Sequence, residues 1–145
     1  MTEDGRKHLE FCQQVINRMG NNSFALKSWS VTLLAAIFAL AADKAKVSTI
    51  WVAILPVLVF WALDSYFLGQ ERLYRSLYDQ LRKLDDAQWE ALNDRRYSLT
   101  PSDFNLQCES LPTVMQRATV AALYGTLLAS VVIFVVILHV LRNCV

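Results

Sequence analysis

The chain has 145 residues, 54% of them hydrophobic, with 14 Lys and Arg against 13 Asp and Glu and a formal net charge of +1. The length fits one domain. The near-neutral balance excludes a bulk electrostatic pull toward nucleic acid or an acidic substrate, so no direct nucleic-acid binding is expected.

The first twenty residues are polar and carry acids as well as bases, unlike a signal peptide. Glu3 to Met19 reads as an amphipathic helix. Leu9, Cys12, Ile16 and Met19 share one face at helical spacing, with Phe11 and Val15 beside it. Asn21, Asn22 and Ser23 then offer capping groups for a new helix. The first apolar run, Ser28 to Ala42, is short for a bilayer unless Phe24 to Leu26 join it, with Lys27 reaching back to the headgroups.

"DKAKVS" follows, a connection short enough to force an antiparallel hairpin. Val47 to Leu63, "VSTIWVAILPVLVFWAL", is the second span, with Pro56 inside it. Membrane helices tolerate such a proline. Trp51, Trp61, Tyr66 and Phe67 near its ends resemble interfacial aromatic belts. Asp64 sits at its edge. A charge there is costly unless paired or water-facing. Arg72 and Arg75 lie two and three turns further along, so a neighbouring helix or subunit must supply any direct partner. Two readings stay open: a gating or pore-mouth carboxylate, or an interfacial Asp reaching headgroup water.

Glu71 to Asn93 reads as a long helix continuous with the second span. Leu73, Leu77, Leu81 and Leu84 form its stripe, flanked by Tyr74, Tyr78 and Trp89. An apolar stripe must be covered. It packs on the N-terminal helix, joins subunits, or docks a partner through Leu77, Leu81 and Trp89. Thr100-Pro101 with Asp103 marks a short helix start. Ala118 to Leu138 is uncharged and continues to Leu141 as the strongest span. Ala118, Ala122, Gly125 and Ala129 form a small-residue face suited to close helix packing, within the chain or between copies. Tyr124, Thr126 and Ser130 are candidates to face an aqueous path.

The expected fold is therefore all-α: an integral membrane protein with about three transmembrane helices and a small cytoplasmic helical region. Its parts are an N-terminal amphipathic helix (1–22), a transmembrane hairpin (23–68), a cytoplasmic helical region (69–117) and a C-terminal span (118–141). Seven Lys or Arg lie between Gly69 and Arg117 and three before Asn22, against two in the hairpin loop and Arg142 in the tail. That bias places the N-terminus in the cytoplasm and the C-terminus outside a bacterial inner membrane.

No catalytic constellation is recognisable, and no cofactor or metal is expected. Cys12, Cys108 and Cys144 form no CxxC pair, and their odd number argues against a disulfide framework. His8 and His139 fall on opposite sides of the bilayer. Glycine-rich phosphate loops, GxSxG and HExxH are absent. The chain reads as a non-enzyme.

"NNSFALKSW", the helical hairpin, and "FWALDSYFLGQERLYRSLYDQLRK" together resemble SLATT-type small bacterial membrane effectors, over roughly residues 8 to 96. The third span goes beyond that family's simple two-helix plan. The resemblance implies an accessory membrane component of an antiphage defence locus that perturbs the bilayer when infection is sensed. The expected function is a homo-oligomeric inner-membrane effector that opens a pore or disrupts the bilayer, with Asp64 and Pro56 as its polar, flexible point. The alternative is a membrane anchor or scaffold that recruits a soluble defence complex. The partners implied are the lipid bilayer, further copies of the chain and a cytoplasmic defence-complex protein.

Overall fold

A computed structural model describes residues 3–44, 51–91 and 99–143. Among the described residues all regular structure is helical. Helix α1 runs Glu3–Lys44, α2 Ile54–Leu81, α3 Asp86–Ala91, α4 Leu111–Met115 and α5 Ala118–Asn143. Short 3-10 turns occupy Trp51–Ala53 and Pro101–Phe104. Residues 45–50 of the hairpin connection, with the expected start of the second span at Val47, lie outside the described residues, as do the expected helix end at Asn93 and Cys144.

The chain forms two compact units. The first comprises Met1–Asn22 and Phe67–Ser110; the second comprises Ser23–Tyr66 and Leu111–Val145. Helices α1 and α2 supply residues to both.

In the first unit the two amphipathic stripes cover one another. Leu9 and Cys12 of α1 join Leu77 and Leu81 of α2, Trp89 of α3 and Leu99 in one buried cluster. Tyr74, Tyr78, Leu84, Phe104 and Leu106 pack around it. Each fully buried leucine of such a cluster contributes about 1.5–3 kcal/mol.

The helix expected to run to Asn93 stops at Leu81 instead. After a turn, α3 starts at a reciprocal cap. The Gln88 amide donates to Asp85 Oδ1 at 2.7 Å, and the Asp85 amide donates to Gln88 Oε1 at 3.0 Å. This capping box satisfies two otherwise orphaned donors and resets the helix direction. It brings Trp89 into the core, 0% exposed. At Thr100-Pro101 the expected short helix start is present, with the Thr100 amide donating to Asp103 Oδ2 at 2.8 Å. The turn closes at Asn105, whose φ of 54° is left-handed and suits asparagine.

In the second unit, apolar surface faces outward. Val31, Leu40, Leu55, Val59, Ile133 and Val136 are all exposed. Leu34, Val57, Val120 and Val131 are buried. Phe38 and Phe134 stack 4.4 Å apart at 20°. Trp61 stacks on Tyr124 at 5.9 Å and 9° and donates its indole N–H to the Met115 carbonyl at 3.3 Å. These contacts link α1, α2, α4 and α5 within the unit.

The expected new helix start at Asn21–Ser23 is absent: α1 continues through all three residues. Two helices are long and apolar enough to cross a membrane, the Gly5–Ala41 part of α1 and Ala118–Val140 of α5. In α1 the apolar run itself is 24–42. At 1.5 Å per residue the 23 residues of the α5 stretch reach about 35 Å, against about 30 Å of hydrocarbon. Helix α2 is not a third among the described residues. From Ile54 it offers only ten apolar-run residues before Asp64, and Gln70 and Glu71 follow soon after.

Candidate functional site

The most unusual chemistry of the second unit surrounds Asp64, which is 0% exposed on α2. Its cation is Lys27, on α1. Lys27 Nζ lies 2.6 Å from Asp64 Oδ1. Ser23 Oγ donates to the same oxygen at 2.5 Å, and Lys27 Nζ also donates to Ser23 Oγ at 2.6 Å. The Lys27 side chain is 30% exposed, so one partner of the pair touches the outside and the other does not.

The local reason is helical spacing. Ser23, Lys27 and Ser30 sit at i, i+4 and i+7 and share one face of α1. Ser23 and Ser30 are buried there, and Ser30 Oγ donates to the Lys27 carbonyl at 2.8 Å. Ser65, beside Asp64, is also buried and donates to the Trp61 carbonyl at 2.7 Å.

Tyr124 of α5 completes the cluster. It is 0% exposed, and its hydroxyl lies beside Asp64 and Ser30. Neither approach closes to good hydrogen-bond geometry. Tyr124 Oη and Asp64 Oδ2 are both buried without a partner among the described residues. Each such atom costs about 1–3 kcal/mol. The cluster thus couples three helices through a charge pair that is only half satisfied.

Other anticipated residues fall elsewhere. Pro56 is half-buried against Ser30, Leu34, Ala53, Val57 and Phe60, around a space with no room for a water molecule. It lines no aqueous path in this state. Tyr124 faces the protein interior, where it stacks on Trp61, so the expectation that it faces water is corrected. Thr126 is exposed and Ser130 half-buried, and each hydroxyl donates to a carbonyl of its own helix at 2.7 Å, Leu123 and Leu127 respectively. Ala118, Ala122, Gly125 and Ala129 are all exposed. A Cβ added to Gly125 would meet nothing within 4 Å. Among the described residues the small-residue face is therefore largely uncovered.

Leu77, Leu81 and Trp89 are 1%, 0% and 0% exposed. They are core residues of the first unit, and a docking partner has no access to them while that core is closed. Sequence reasoning does not pair the polar stripe Ser23–Lys27–Ser30 with Asp64; the structure does. Its signal was three polar residues at helical spacing beside or within an apolar run, where lipid would otherwise disfavour them.

Among the described residues no group of three or more His, Cys, Asp or Glu could hold a metal ion. What the site can do chemically is hold, or release, a buried charge. Comparison with protein-family models, curated proteins and solved structures finds none that matches this chain.

Proposed function

We propose that this chain is a membrane-embedded effector of a bacterial antiphage defence system, which oligomerises in the inner membrane and permeabilises it when activated. In this reading α1, α2 and α5 contribute three spans. The first unit and the N-terminus are cytoplasmic, and the C-terminus is outside. The resemblance over residues 8 to 96 supports the biological setting. The exposed apolar surface of the second unit supports the membrane setting.

One observation carries the mechanism: the pairing of the fully buried Asp64 carboxylate with the partly exposed Lys27. A buried ion pair is a poor stabilising device, because hydrophobic residues of similar volume often do as well or better. Ionisable groups inside a membrane are functional by default. The pair serves as a lock. While closed, its charges neutralise each other and the space by Pro56 stays dry. A shift of α1 against α2 separates the charges and draws water into the unit. Both helices also belong to the first unit, which gives cytoplasmic events a covalent route to the lock. The outward small-residue face of α5 is available for contact between copies.

The test is membrane potential during induced expression, alone and then with the flanking genes and phage challenge. Depolarisation that precedes loss of viability is expected under challenge. Lys27→Met, which opens the lock, should depolarise without challenge. A steady potential in every arm, with the protein verified in the membrane, refutes the effector reading. It would leave the chain as an anchor for a soluble complex.

A further inference from the structure

The two members of the Lys27–Asp64 pair differ in how far each can move. Asp64 is 0% exposed, and a single methylene ties its carboxylate to the backbone of α2. Lys27 carries its ammonium on a flexible four-carbon stem, and its side chain is already 30% exposed. It stands one helical turn from Ser23, at the polar end of the apolar run. Released from Asp64, its ammonium reaches headgroup water.

Across residues 24–42, 54–64 and 118–141 the chain has one Lys or Arg, Lys27, and one Asp or Glu, Asp64. When the lysine leaves, no second Lys or Arg in those stretches replaces it. A negative charge stays behind among hydroxyls. Ser23 and Ser30 of α1 and Tyr124 of α5 are all buried in the same unit.

We propose that the path opened by the lock passes small monovalent cations and turns back anions, with the Asp64 carboxylate as the selecting group. This rests on the effector reading, in which separation of the pair admits water.

The closed state shows the chemistry that the site accepts. The Lys27 ammonium is itself a monovalent cation, held between Asp64 Oδ1 and Ser23 Oγ, each 2.6 Å from Nζ. Its departure leaves two oxygens facing the point it vacates. Fixed carboxylates select cations in channels, because a charge between low-dielectric walls concentrates its counter-ions. One unit charge about 4 Å away shifts the local concentration of a monovalent ion about five-fold even in water-like surroundings. The shift is upward for a cation and downward for an anion, about 25-fold between them. Hydroxyls do not set the sign, since each both donates and accepts. The carboxylate alone does.

The experiment measures the reversal potential under a KCl gradient in planar bilayers that hold the purified full chain. Lys27→Met, with the lock open, should conduct with a cation-to-anion permeability ratio of about ten or more. Adding Asp64→Asn keeps the side-chain shape and removes the charge, so the ratio should fall to about one while current persists. The native chain supplies a second arm, free of any folding defect. In cells with the flanking genes under phage challenge, potassium should reach the medium before inorganic phosphate does. A ratio near or below one for Lys27→Met, or a ratio unchanged by Asp64→Asn, overturns the proposal and leaves the effector reading standing. Simultaneous loss of potassium and phosphate does the same. Absence of current from Lys27→Met, together with a steady membrane potential in the challenged cells, overturns both.

Discussion

The two units solve the burial of polar groups in opposite ways. The second unit buries a carboxylate, Asp64, against a partly exposed cation, Lys27, with the buried Ser23, Ser30 and Tyr124 close by. Among its described residues the first unit instead buries His8 and Trp89 beside an apolar cluster. Among the described residues each unit has two buried polar atoms without a hydrogen-bond partner: Asp64 Oδ2 and Tyr124 Oη in one, His8 Nε2 and Trp89 Nε1 in the other. The contrast teaches where each unit is sensitive: a charge pair responds to displacement or to a competing charge, and an apolar core to loss of packing volume.

The comparison breaks most sharply at the core of the first unit. Trp89→Ala should cost about 3–5 kcal/mol. Hydrogen exchange should show α3 and the flanking α2 turns losing protection, with the Ala118–Asn143 helix unaffected. Exchange that accelerates equally in α5 would show that the units do not unfold separately.

Lys27→Met comes next. It strands a fully buried carboxylate, at a cost of about 3 kcal/mol, the low end for a buried pair because Lys27 is partly exposed. Thermal denaturation in micelles measures it. Lys27→Met combined with Asp64→Leu should recover most of the loss. A double variant as unstable as the single would mean that the pair is not the relevant interaction.

Smaller effects sharpen the contrast. Gln88→Ala removes half of the reciprocal cap and should cost about 1 kcal/mol, seen as faster exchange in α3 alone. Acidification should also weaken the first unit through His8. Burial lowers the His8 pKa from its ordinary value of 6.5, so the unfolded chain takes up the proton first as pH falls. The His8 contribution is intact above about pH 6.5 and is lost as pH falls through the folded value. A urea titration at stepped pH tests this, and His8→Phe should remove that part of the dependence. Smallest of all, Gly125→Ala should leave the monomer intact or slightly more stable, by up to about 1 kcal/mol, because its Cβ meets open space. Any larger change, measured by cross-linking in membranes, would come from contacts between copies.

Much of this was legible in the residues. The uncharged run Ala118–Leu138 has one sensible structure, because bilayer-length apolar sequence carries that information locally. The helical stripes of Leu9 and Cys12, and of Leu77 and Leu81, were visible as periodicity, which is again local. Asp85 and Gln88, three residues apart, already have the spacing of a capping box. Three polar residues at helical spacing, Ser23, Lys27 and Ser30, were equally visible and went unmatched.

The sequence by itself determined the helical class, the apolar stretches and the faces that needed covering, since each follows from side-chain chemistry and the period of one helix. Tertiary structure alone decided who covers whom. It paired the two stripes, which buried the expected docking residues Leu77, Leu81 and Trp89. It also gave Asp64 a cation 37 residues away. Partner choice between helices depends on distances that no local pattern encodes, and a buried carboxylate without its lysine is too costly to remain where it is found.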